Sequence, residues 1–93
     1  MAKPKFYLSV DTDDETGEVL AAYLRVREGD VADTVELAEG RANADYDAEG
    51  NLLGVELLAP CDITVLDSIA KEEDEPVRRF FRSSPPRSLV LTS

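Results

Sequence analysis

Ninety-three residues, 43% hydrophobic and 32% charged, make one modest globular domain, too short for two cores and too apolar for a chain disordered throughout. Twenty acidic against ten basic side chains leave a net charge of −10, which argues against DNA, RNA or an anionic membrane as ligand, since each phosphate contact needs a cation, and favours a basic protein partner or a cation. A single cysteine, Cys61, and no histidine remove disulfides, Cys/His zinc sites and every histidine-dependent catalytic triad.

Met1-Ala2-Lys3-Pro4-Lys5 precedes an apolar run of only Phe6-Tyr7-Leu8, which is neither a signal peptide nor a membrane span, so a cytoplasmic location is expected. From Lys5 to Asp11 the chain alternates, with Phe6, Leu8 and Val10 on one side and Tyr7 and Ser9 on the other, which predicts a first strand. The acidic loop Asp11 to Glu18 turns near Gly17, and alternation resumes from Val19 to Arg27 through Leu20, Ala22, Leu24 and Val26. Glu28-Gly29-Asp30 is a tight turn before a third strand, Val31 to Ala38, with Val35 and Leu37 inward and Thr34 and Glu36 outward.

Ala42 to Leu58 is the stretch around which the chain is organised. Ala42, Ala44 and Tyr46 alternate with Asn43, Asp45 and Asp47. Ala48-Glu49-Gly50-Asn51 then interrupts, and Leu53, Val55 and Leu57 alternate with Leu52, Gly54 and Glu56. A strand, a turn that places Gly50 at positive φ, and a strand form a central hairpin. The same residues can be laid on a calcium loop, with Asp45, Asp47, Glu49 and Glu56 as ligands, but that loop needs a helix on each side, and period two forbids one. A solvated acidic face beside a tight turn is the stronger reading; a divalent-cation site at those four residues is the alternative. No cofactor and no metal are expected.

Tyr23-Leu24-Arg25-Val26, Val31 to Leu37, and above all Asp45-Tyr46-Asp47-x-x-Gly50-x-x-x-Gly54-x-Glu56 resemble the bacterial domain of unknown function 2283 over roughly residues 5 to 60. The resemblance implies a compact antiparallel sheet with helical material and bacterial origin, and it brings no established activity. The departures are the first turn, Asp13 to Glu18, and the long segment after Pro60.

That segment leaves period two. Leu66, Ile69 and Ala70 recur at helical spacing, with Asp67 or Ser68 available as a cap. Glu72 to Glu75 reads as a solvated charge run, and Pro76 opens a second helix with Val77, Phe80 and Phe81 as its apolar stripe and Arg78, Arg79 and Arg82 toward its C-terminus. Cys61, with no base beside it, is a half-buried spacer rather than a nucleophile.

The expected architecture is α+β: an antiparallel β-meander of about five strands over residues 5–59, one or two C-terminal helices within 60–84 packed on one face, and an extended tail at 85–93, all in a single domain spanning 1–93. No catalytic constellation emerges. A protein-interaction or regulatory domain is expected, with a basic protein partner as for an acidic antitoxin, and an uncharacterised enzyme is the weaker alternative. All twenty acids and six bases lie in residues 1–75, a net −14, whereas 76–93 carry four arginines and no acid, a net +4. That bipolarity predicts a homodimer in which Arg78, Arg79, Phe80, Phe81, Arg82, Leu89, Val90 and Leu91 meet a second copy.

Overall fold

The computed structural model describes residues 3–62, 64–87 and 89–91. Five strands form one antiparallel sheet: β1 (Pro4–Thr12), β2 (Val19–Arg27), β3 (Asp33–Leu37), β4 (Ala42–Tyr46) and β5 (Leu52–Leu58). Two helices follow, α1 (Thr64–Ala70) and α2 (Glu75–Ser83), separated from β5 by the two-residue strand β6 (Cys61–Asp62) and followed by β7 (Val90–Leu91). The α+β class read from alternation is the class observed.

The strand order is β1-β2-β5-β4-β3, which is not that of a simple meander. β5 returns from its hairpin with β4 to pair antiparallel with β2, and so becomes the middle strand. The reason lies in the inventory of apolar residues. Leu52, Leu53, Val55 and Leu57 are all buried to 1% exposure or less, whereas Val35 of β3 remains 40% exposed. The more apolar strand takes the position with two neighbours. The β2–β3 connection must then cross the ends of β5 and β4, and Ala32 N–H donates to the Tyr46 carbonyl on its way. Gly29 makes the crossing possible: its φ is +152°, and a Cβ there would stand 2.9 Å from Leu53 Cδ2. Leu53 itself is the extra residue of a bulge, since Asp45 pairs Gly54 but Tyr46 pairs Leu52.

One face of the sheet is covered. Ala22, Leu24, Val26, Ala44, Val55 and Leu57 pack with Leu66 and Ala70 of α1, Val77 and Phe81 of α2, and Leu89. α1 begins earlier than its sequence spacing suggested, at Thr64, whose N–H is held by Asp62 Oδ1 at 2.9 Å, so Asp67 and Ser68 lie within the helix. α2 starts as expected, with Pro76 in its first turn and Asp74 accepting from the Val77 N–H. The acidic run between the helices is structural as well as solvated: Glu73 Oε1 meets Arg27 Nη2 at 2.8 Å with both side chains about one-fifth exposed, and Arg27 Nη1 also donates to the Leu52 carbonyl. This clasp ties the helical cover to the end of β2 and β5.

The C-terminal tail turns back on its own chain. β7 pairs parallel with β6, Cys61 N–H donates to the Leu89 carbonyl, and Leu89 is fully buried. Cys61 is 1% exposed, more deeply placed than a half-buried spacer, and burial pushes its thiol pKa up, with Asp62 adding to the shift.

Candidate interaction face

The side of the sheet away from the helices carries two rows of side chains, set by register. Tyr7 stands beside Arg25, Arg25 beside Gly54, Gly54 beside Asp45, and Asp45 beside Thr34, one residue from every strand. The next row is Ser9, Tyr23, Glu56, Asn43 and Glu36. Alternation along each strand produces these rows without further instruction, because the opposite positions are those that entered the core.

Gly54 creates a gap in the first row, and Tyr23 fills it. A Cβ at Gly54 would lie 2.5 to 2.6 Å from the Tyr23 ring and hydroxyl, so only glycine lets the ring lie flat across β5. The Tyr23 hydroxyl thereby reaches β4 and donates to Asp45 Oδ2 at 2.9 Å, while Thr34 from β3 donates to Asp45 Oδ1 at 2.6 Å. Three strands are laced together on their water side. Burial, reinforced by the hydrogen bond to Asp45, pushes the Tyr23 phenol well above its ordinary range. Arg25 caps the arrangement with its guanidinium carbon 5.7 Å from the Tyr23 ring centre and 5.9 Å from that of Tyr7. Glu36 and Glu56 flank the cluster and are exposed.

Two of the four residues weighed as calcium ligands, Asp45 and Asp47, already have local partners. Asp45 accepts from Tyr23 and Thr34, and Asp47 Oδ1 accepts from the backbone N–H groups of Glu49 and Asn51, the Asx turn that forms the hairpin. Those bonds hold the Asp47 carboxyl below its usual range, the Asn51 N–H first among them. Strands β4 and β5 occupy the places where a calcium loop requires helices. Among the described residues no three acidic or cysteine side chains converge as a metal site.

The surface expected to meet a second copy through the C-terminal segment is partly withdrawn. Phe81 is 2% exposed and Leu89 fully buried in this chain's own core, where they join Leu66 and Ala70 in covering the sheet. Phe80 is half-buried and packs edge-on against Phe6 with ring centres 5.3 Å apart. Arg78 and Arg79 sit on the surface beside Glu75, at 2.9 and 3.9 Å, and Arg82 is exposed. The side chains of Val90 and Leu91 lie outside the described residues. A crevice of about 440 Å³ lies between Pro4, Phe6, Arg27, Asn51 and the start of α2, but its charged groups are already engaged, Arg27 with Glu73 and Asp74 with the Val77 N–H.

Strand pairing and the open polar face define a small α+β domain with one covered and one presented sheet surface. Residues 17–59 match the model of a family described as a protein of unknown function (DUF2283), which bears out the resemblance read from the sequence. The matched span runs from the end of the first turn through β5, so it holds Tyr23, Arg25, Asp45, Gly54 and Glu56 and leaves out β1 and both helices. Comparison with curated proteins and with solved structures found no match. No helix among the described residues is long and apolar enough to cross a membrane.

Proposed function

We propose that the domain is a non-enzymatic interaction module that holds a basic protein segment against its open sheet face, in the manner of a small acidic protein that neutralises a basic partner. The observation that carries this reading is the preorganisation of the face: Tyr23, Asp45 and Thr34 are locked by hydrogen bonds before any ligand arrives, and Arg25 is held between two tyrosine rings. The tyrosine rings present flat area, and the exposed carboxylates of Glu36 and Glu56 stand ready to receive lysine or arginine. The Asp45 oxygens each already accept a hydroxyl proton, and the Tyr23 phenol is held neutral, so the cluster suits recognition better than proton transfer.

An acidic protein attracts any polycation, so the test separates the face from the net charge. An arginine-rich peptide is titrated into the wild type, into E36Q/E56Q on the face, and into D13N/D14N in the first turn. The face variant should bind about tenfold more weakly and the turn variant within about twofold of wild type, with amide shifts mapping to Tyr23, Arg25, Asp45 and Gly54. Equal weakening by both variants would reduce the binding to net charge and remove the proposal.

A further inference from the structure

β1 is an edge strand with nine residues, all exposed, paired with β2 on one side only. The opposite edge, β3, is a short strand of five residues. On the helix side β1 presents Phe6, Leu8 and Val10, which are 42%, 38% and 39% exposed, and of these only Phe6 meets an aromatic ring of the helical cover, that of Phe80. An apolar edge of this length is one that proteins ordinarily blunt or pair. Irregularities do flank it, between Pro4 and Tyr7 and between Asp11 and Thr12, but the stretch from Tyr7 to Asp11 pairs with β2 without interruption.

The strand also has a charge direction. Lys5 lies near its beginning and Asp11 near its end, with Lys3 just before it and Asp13 just after it in the first turn. We infer that β1 pairs antiparallel with β1 of a second copy about a two-fold axis at Leu8, extending two five-stranded sheets into one of ten. In that register Leu8 opposes Leu8, Phe6 opposes Val10 and Lys5 opposes Asp11, so apolar and charged positions are both self-complementary. A slip of one residue would set the helix-side apolar row against the water-side row, and a parallel arrangement would bring lysine against lysine. Lys5 has an intramolecular partner, Glu28 at 3.3 Å, but both side chains are more than half exposed and that pair holds Lys5 weakly. The C-terminal tail plays no part, being folded against β6 of its own chain.

Light scattering at tens of micromolar should give twice the 10.2 kDa chain mass. K5D and D11K should each raise the dissociation constant about tenfold, and the double reversal K5D/D11K should return it to within about threefold of wild type, since the pairs re-form with their signs exchanged. Both positions are exposed, and circular dichroism of each variant serves as the check that it is folded. L8E, which places two carboxylates on the axis, should abolish the dimer. Amide hydrogen exchange supplies a second measurement, with protection of Tyr7 to Val10 rising with protein concentration. A monomeric wild type at hundreds of micromolar overturns the inference, and so does a dimer that the single reversals leave intact or that the double reversal fails to restore.

Discussion

On the helix side of the sheet, Leu24, Val55 and Leu57 lose all contact with water, while one residue away on the same strands Tyr23, Gly54 and Glu56 form the presented face. The first group is held by area removed from water, worth about 25 cal/mol per Å² and indifferent to direction. The second is held by one ring lying over one glycine and two hydroxyls donating to one carboxylate, which have direction and little area. A single set of strands therefore carries a surface that fixes the fold and another that is ordered without being needed to fix it. That separation leaves the side chains of the open face free to change without emptying the core.

The comparison breaks first on the covered side. Phe81→Ala should cost about 3–5 kcal/mol in urea unfolding, because it empties the centre of the helical cover, whereas Phe80→Ala, at a half-buried ring, should cost about 1–2 kcal/mol. A larger loss at Phe80 than at Phe81 would mean that α2 sits with its other face toward the sheet. Next is Gly54→Ala, which drives a methyl group into the Tyr23 ring and should cost about 1–3 kcal/mol. In a Tyr23→Ala background most of that penalty should vanish, and a cycle showing no coupling would refute the close contact.

A smaller effect appears with pH. In the folded chain the Tyr23 phenol pKa is raised above 10.0 by burial and by Asp45, and that of Tyr46 is raised by burial and then by Glu73. The unfolded chain ionises first as pH rises, so this stabilisation is whole below pH 10 and is lost on the way up from 10 toward the folded values. Stability measured by urea melts should decline above pH 10, and less steeply in Tyr23→Phe. Parallel curves for the two proteins would mean that the phenol is open to water. Smallest of all, Arg25→Gln should cost about 0.5–1 kcal/mol, the worth of a partly exposed cation over aromatic rings. A larger loss would make the face part of the fold's foundation.

Much of the covered side was legible in the residues. Period-two alternation announced all five strands of the sheet, and Pro76 marked the start of the second helix, whereas its cap, Asp74, was read as part of a solvated charge run. The strand order was not legible, because the neighbours of β5 are chosen by competition between strands for the centre of the sheet, and alternation is silent on that. The face was hidden for the same reason: Tyr23 and Asp45 stand on strands joined only through β5, so their meeting needs the β2–β5 register. Gly54, lying within an otherwise apolar run, was the available signal that something approaches the backbone there. Glu73, read as part of a solvated charge run, meets Arg27 only once the helices close over the sheet.

The placement of β5 between β2 and β4 has a consequence in time. β1 with β2, and β3 with β4 and β5, are two units built from neighbours in sequence, each able to form by short loop closures. They are joined along one seam, from Ala21 with Leu58 to Arg25 with Gly54, whose partners stand roughly thirty or more residues apart. Neither unit has a complete apolar interior until that seam closes, and α1 and α2, which follow β5, have their main docking surface only across it. On the ribosome the first hairpin must therefore wait, with its apolar side bare, until nearly two thirds of the chain has been made.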